Sequence, residues 1–147
     1  MSHIDYFFSP ISPFTYLADS GLEEIVREHE ATVTYKSINV ITLFSRTGGT
    51  PPAQRHPLRQ EYQLQELQRQ SKKQRLPITL KPKYFPTNAT PSSYAIIAAQ
   101  AETYLAKLEK AVISGVFGAP FYIVDDGPGF WGQDRLNDLD SHLEGEF

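Results

Sequence analysis

The sequence predicts a mixed α/β domain in which a leading strand–helix–strand unit is closed by a helix–strand–strand–helix unit. Three observations predict it. Residues 3–8 (His-Ile-Asp-Tyr-Phe-Phe) and 31–38 are short runs of β-formers on either side of an amphipathic stretch. Residues 121–124 (Phe-Tyr-Ile-Val) and Phe130-Trp131 flank an Asp-Gly-Pro-Gly turn at 126–129. Between these units lies a glutamine-rich, then proline-punctuated, segment at 45–90 with few apolar anchors.

Each element follows in order. Pro10 and Pro13 end the first strand, and Pro13 suits a first helical turn, where its missing N–H is no loss. Phe14, Leu17, Ala18, Leu22, Ile25 and Val26 recur at helical spacing, opposite Asp19, Glu23, Glu24 and Arg27. Gly21 weakens that helix by about 1 kcal/mol relative to Ala without ending it. Residues 45–57 read as a loop, and a polar helix is expected from Pro57 to Gln74 with Leu58, Tyr62 and Leu67 as anchors. Leu76–Thr90 is expected to be irregular. Ser92 or Ser93 is placed to cap one helix running through Tyr94, Ile97, Ala98, Ala101, Tyr104, Leu105, Leu108 and Val112, ended by Gly115 and Gly118. Asp134 is placed to cap a last helix containing Leu136, Leu139 and Leu143. The long first crossover predicts parallel strands and the closing turn an antiparallel pair. This is the element order of the thioredoxin fold, with residues 1–44 and 91–147 as the thioredoxin-like part and 45–90 as a helical or irregular insertion.

The chain has 147 residues, enough for one domain that buries roughly 70% of the surface of its unfolded form. A net charge of −3 offers no broad attraction to nucleic acid or an anionic membrane. No apolar run approaches the roughly 20 residues of a membrane span, and residues 1–5 have no basic leader, so the expected location is cytoplasmic. There is no cysteine, which excludes disulfides, thiolate metal sites and a thiol nucleophile carried by this chain. His3, His29, His56 and His142 stand in no metal-ligand spacing, so no metal is expected. The Asn88-Ala-Thr90 sequon is read as chance, and Gly48-Gly49 lacks the partners of a phosphate loop. No Gly-x-Ser-x-Gly elbow is present. The six basic residues between Arg55 and Arg75 are scattered and read as a solvated face.

Three constellations carry candidate chemistry. Ser12-Pro13-Phe14-Thr15-Tyr16-Leu17 places a serine at a strand–helix junction, where backbone N–H groups and the helix dipole favour an anion. Ser12 is either only an N-cap or a donor to a thiolate brought by a ligand. Gly115-Val-Phe-Gly-Ala-Pro120 opens a strand with a proline, compatible with a cis peptide. It is either a tight turn or a backbone edge offered to an extended ligand. Trp131-Gly-Gln-Asp134 is either a helix cap or a pair of polar side chains for a ligand's γ-glutamyl end.

Together and in this order, these segments resemble the 2-hydroxychromene-2-carboxylate isomerase and kappa-class glutathione transferase family, which has a DsbA-like thioredoxin fold. Gly48–Pro57 and Lys81–Pro86 resemble the interdomain part of bacterial members, so the resemblance spans nearly the whole chain. It implies glutathione as the working thiol, with Ser12 holding the sulfur, Ala119 pairing with the cysteinyl part beside a cis-Pro120, and Gln133 and Asp134 holding the γ-glutamyl end. It further implies an isomerase of an aromatic unsaturated keto acid, or a transferase, working on a small-molecule substrate as a homodimer. Gln54, Arg55, Tyr84 and Asn88 are the residues expected to touch the second substrate. One departure stands out: family members carry further helices between the segments ending near Ala106 and starting near Leu108, and the insertion is shortened here. The lid over the acceptor pocket is then incomplete, which favours glutathione binding over turnover. A disulfide oxidoreductase of DsbA type shares the architecture but needs the cysteines this chain lacks.

Overall fold

A computed structural model describes residues 1–98 and 104–146. The strands are β1 (His3–Phe8), β2 (Thr32–Ser37), β3 (Phe121–Val124) and β4 (Gly129–Trp131), in the sheet order β2-β1-β3-β4. β1 and β2 are parallel, with Phe8 opposite Ser37. β3 runs antiparallel to β1, with Phe7 opposite Phe121, and β4 antiparallel to β3, with Phe121 opposite Trp131. This register has a consequence for function. The C-terminal ends of β1, β2 and β4 and the start of β3 all lie at one end of the sheet, so the three constellations emerge there together.

The helices are α1 (Pro13–Glu28), α2 (Val40–Thr47), α3 (Pro57–Gln74), α4 (Thr90–Ala98), α5 (Tyr104–Ile113) and α6 (Leu136–Leu143). β1 is central, so both of its faces are covered. Ile4 and Tyr6 pack with Ala18, Leu22 and Ile25 of α1 and with Leu136 and Leu139 of α6. Phe7 points the other way, into a second core with Leu43 of α2 and Leu108 and Ala111 of α5. Gly21 lets α1 pass close to the start of α6: a Cβ there would lie 2.6 Å from Leu136 Cδ1, so a larger residue would have to move the Leu136 side chain.

One polar network sits in the sheet. Asp5 Oδ2 accepts from Lys36 Nζ at 2.7 Å and from Lys110 Nζ at 3.0 Å, with Asp5 and Lys36 both buried. Burial works to raise the Asp5 pKa, but the hydrogen bonds and charges of the two lysines outweigh it and hold the carboxyl below its ordinary range. Burial, aided by the Lys110 charge alongside, pulls the Lys36 pKa down against the attraction of Asp5.

Several expectations need correction. Residues 45–47 are not loop but the end of α2, whose N-cap Asn39 accepts from Thr42 N at 3.1 Å. The loop itself contains a 3-10 turn, Pro52–Gln54. Along α3 only Leu67 of the three expected anchors is buried; Leu58 and Tyr62 are 69% and 59% exposed. α4 begins at Thr90, so neither Ser92 nor Ser93 caps it; Asn88 Oδ1 accepts from Thr90 N at 3.0 Å in the turn that leads into the helix. Ser93 lies inside the helix, fully buried and bonded to Ser37 Oγ at 3.2 Å. The predicted passage of that helix through Ala101 lies outside the described residues, whereas α5 runs unbroken across Ala106–Leu108 as expected.

Candidate functional site

The chain turns tightly between β1 and α1, with Ser12 N donating to Ser9 O at 2.9 Å. Ser12 then takes the N-cap position with extended backbone, and Pro13 begins the helix. Thr15 N donates to Ser12 Oγ at 3.3 Å, so Ser12 is a cap. Its hydroxyl also donates to Ala119 O at 3.4 Å, so it reaches the proline loop 107 residues away. The first turn has few donors left for an anion. Pro13 has no N–H, Thr15 N goes to the cap, and Tyr16 N donates to Ser12 O. The Phe14 N–H remains, beside the Ser12 hydroxyl and at the positive end of a 16-residue helix.

The Ala119–Pro120 peptide is cis. Pro120 O accepts from Gly132 N at 3.1 Å, which ties this loop to the segment after β4. Trp131 closes over the loop from the side. A Cβ on Gly118 would lie 2.4 Å from Trp131 Nε1, and Phe117 meets the indole edge-to-face at 4.9 Å.

Gln133 and Asp134 follow in a 3-10 turn, Gln133–Arg135, with Gln133 buried and Asp134 exposed. The expected Asp134 cap on the last helix is not made. The 3-10 turn intervenes, and Arg135 occupies the N-cap of α6 without capping it through its side chain, which instead donates to Asp138 Oδ2 at 3.2 Å. The Asp134 carboxylate instead folds back toward Gly132, where a Cβ would lie 2.6 Å from its Oδ1. Its charge therefore stands at the rim of the loop that Gly132 ties to Pro120. The fold thus brings Ser12 directly to Ala119, and Pro120 to the segment that carries Gln133 and Asp134.

Of the four residues expected at the second substrate, Arg55 and Asn88 make hydrogen bonds within the fold and Tyr84 and Gln54 are exposed. Arg55 is occupied by the fold: its Nε donates to Thr50 O at 2.8 Å and its Nη1 to Gln63 Oε1 at 3.0 Å, with the guanidinium 5.8 Å over the Phe44 ring. Burial, and then the neighbouring Arg59 charge, lowers its pKa, though a guanidinium stays protonated. Asn88 bonds Thr90 N in the turn before α4. Tyr84 is 72% exposed, with Lys83 Nζ 5.3 Å from its ring centre. Gln54 ends the 3-10 turn in solvent.

None of these four lines the cleft that does open beside Ser12. That cleft has a volume of about 180 Å³. Ser12, Thr15 and Tyr16 from the start of α1, Tyr6 and Phe8 of β1, Tyr35 of β2 and Pro10 line it. Thr15 Oγ1 is buried and has no hydrogen-bond partner among the described residues. A hydroxyl left so costs about 1–3 kcal/mol. The sequence offered weak signals for this wall: Tyr6 and Phe8 alternate along β1, and Tyr35 stands on the strand paired with it. Among the described residues, no group of His, Asp and Glu is placed to hold a metal ion, and no helix is long and apolar enough to cross a membrane.

Comparison with known proteins follows the same lines. The family model of the DSBA-like thioredoxin domain matches residues 3–113. A 2-hydroxychromene-2-carboxylate isomerase of Sphingobium xenophagum is 25% identical over 195 aligned residues, covering 95% of this chain and 97% of the relative. That alignment is longer than this chain, so part of the relative has no counterpart here. Among solved structures, a 2-hydroxychromene-2-carboxylate isomerase superposes with a TM-score of 0.76 at 19% identity, over 98% of this chain and 95% of the other. A probable DsbA oxidoreductase of Streptomyces coelicolor superposes with a TM-score of 0.65 at 12% identity, over 100% and 92%.

Proposed function

The chain belongs to the DSBA-like thioredoxin domain family, and within it we propose that it is a glutathione-dependent isomerase of an aromatic unsaturated keto acid. The observation that carries this reading is the Ser12 hydroxyl, poised between the N-terminus of α1 and Ala119 O in a chain with no cysteine. A thioredoxin-like fold with serine at this junction has no thiol of its own, so thiol chemistry there needs a thiol from a ligand. The 2-hydroxychromene-2-carboxylate isomerase of Sphingobium xenophagum supplies the reaction class.

The residues present fit glutathione. The Phe14 N–H offers a donor for a thiolate, and the Ser12 hydroxyl becomes a second when its one proton turns from Ala119 O to the sulfur. The Ala119 backbone, next to Pro120, offers an edge for the cysteinyl peptide. Asp134 offers an exposed carboxylate for the α-ammonium, and Gln133 an amide beside it. When bound, glutathione supplies a thiolate that adds to a conjugated double bond and leaves again after the bond has rotated. A free thiol has a pKa near 8.5, so only a few per cent is ionised at pH 7. Lowering it by about two units requires Ser12 and the helix terminus to favour the thiolate by roughly 2.7 kcal/mol. Ser12 therefore acts as a hydrogen-bond donor and never as the nucleophile.

The test is turnover of an unsaturated aromatic keto acid with and without glutathione, in wild type and Ser12→Ala. Glutathione-dependent isomerisation that falls in the variant supports the reading; isomerisation indifferent to glutathione overturns it. A second reading is a glutathione-binding module without turnover, favoured by the part of the relative that has no counterpart here. Saturable glutathione binding without turnover of either an isomerase substrate or a chromogenic transferase electrophile would select it. Conjugation in place of isomerisation would select a kappa-like transferase.

A further inference from the structure

We propose that the basic segment from Arg55 to Lys83 steers anionic ligands to the start of α1, so that this chain selects carboxylate-bearing ligands by how fast they arrive. The cations act through their field and not by contact. This rests on the reading that glutathione works at Ser12. The tripeptide carries two carboxylates against one ammonium and gains a further negative charge as its thiol ionises. The keto acid of that reading is an anion as well.

Three observations carry it. Charge is divided along the chain. Residues 55–83 hold eight Lys and Arg against two Glu, a net +6, whereas the rest holds six against fifteen Asp and Glu, a net −9. The overall −3 hides this division. The charge is also free to act at a distance. Arg59, Lys72, Lys73, Arg75, Lys81 and Lys83 are all exposed, and none forms an ion pair among the described residues. Of the two glutamates, Glu66 is paired with Arg69 at 3.2 Å. Finally, the charge lies beside the site. Tyr16 lines the Ser12 cleft, and its hydroxyl donates to Pro77 O at 3.1 Å. Consecutive Cα atoms are about 3.8 Å apart, so the Arg75 backbone lies within about 8 Å of Pro77, and those of Lys73 and Lys81 within about 15 Å. These spans are one to two Debye lengths at physiological salt, about 8 Å each, so the field reaches the start of α1. The N-terminal end of the α1 dipole adds to it with the same sign. Fields of one sign around a cleft raise on-rates by about 10- to 1000-fold.

The combined variant Lys72→Gln, Lys73→Gln, Lys81→Gln and Lys83→Gln tests the inference, because it removes exposed charge and keeps side-chain length. Two nitroxide probes of the same shape, one bearing a carboxylate and one an ammonium, are compared by the paramagnetic broadening of the Phe14 to Leu17 amide signals. Wild type is expected to show about threefold more broadening by the anionic probe, and the variant none of that preference. Lys81→Gln with Lys83→Gln, which leaves α3 untouched, is expected to lower the preference part of the way and guards against a disturbed helix. Glutathione association is then followed by NMR line shapes at rising salt. Its rate is expected to be about tenfold lower in the combined variant and to lose its salt dependence, with dissociation within about twofold of wild type. No preference for the anionic probe in wild type, a preference that survives in both variants, or an affinity loss that lies in dissociation would overturn the inference. Failure of glutathione to bind wild type would count against the Ser12 reading instead, and the nitroxide comparison reads out without it.

Discussion

Ser12 carries two hydrogen bonds with one hydroxyl: it caps α1 and it reaches Ala119. Both functions are lost in Ser12→Ala, and they can be read separately. Loss of the cap is expected to lower unfolding free energy by about 1 kcal/mol, measured by urea denaturation. Loss of the donor is expected to return the pKa of bound glutathione toward that of the free thiol, followed by thiolate absorbance against pH. Asp134 tests the other end of the ligand. Its charge makes no cap, so Asp134→Asn is expected to leave stability nearly unchanged while weakening glutathione about tenfold, roughly 1.4 kcal/mol, by calorimetry. At this scale much was legible in the sequence, because capping serines and strand-opening prolines are local signals. Thr15 and Tyr35 were not, because a cleft wall is made by residues whose juxtaposition depends on strand pairing. Arg55 carries a contact no local pattern announces: it clasps its loop to α3 through Thr50 O and Gln63 Oε1.

Between elements, two glycines set how closely the site segments approach. Gly118 lies under the indole of Trp131, the chain's single tryptophan. Gly118→Ala must displace that ring, and with it the Trp131–Asp134 segment tied to Pro120. The expected result is a shifted Trp131 emission spectrum and weaker glutathione binding in a protein that remains folded. Unchanged emission and unchanged binding would show that the loop tolerates the added methyl without moving the site. Gly21 does the same beneath α6, so a large residue there is expected to destabilise by about 1–3 kcal/mol through overpacking against Leu136. The amphipathic period of α1 and the alternation in the strands made those elements readable in advance. α2 was hidden because its first turn, Val40-Ile41-Thr42, is made of β-formers. It is helical because Asn39 caps it and because Leu43 finds the second core, with Val40 buried as well. The 3-10 turn at Gln133–Arg135 was hidden because an acidic residue before an apolar run resembles a cap whether or not its side chain points at the helix.

Across the whole molecule, the sheet register converts three separate motifs into one site, and the Asp5 network stabilises the register from inside. Asp5 joins β1 to β2 through Lys36 and to α5 through Lys110. Its pKa in the folded state lies below the ordinary 3.8. It therefore binds protons more readily when unfolded, and its stabilisation is complete above pH 3.8 and fades as pH falls through the lowered folded value. Asp5→Asn leaves two ammonium groups around one neutral side chain, so a loss of about 3–5 kcal/mol is expected. That is a large share of the roughly 5–15 kcal/mol of a typical domain. Melting temperature against pH is expected to show a shallower acid limb in the variant than in wild type. The sequence showed the order of elements, from which parallel and antiparallel pairing followed. It did not show which partners Asp5 finds there, since Lys36 and Lys110 come to it only through strand pairing and the packing of α5.

The central claim is that Ser12 holds the thiol of glutathione. Calorimetric titration of glutathione into the folded chain, repeated across pH for wild type and Ser12→Ala, tests it most directly. The account predicts saturable binding to one site per chain, with proton release marking a thiol pKa below its free value in wild type and not in Ser12→Ala. No heat of binding from a folded wild-type chain, or the same lowered thiol pKa without the Ser12 hydroxyl, would contradict it.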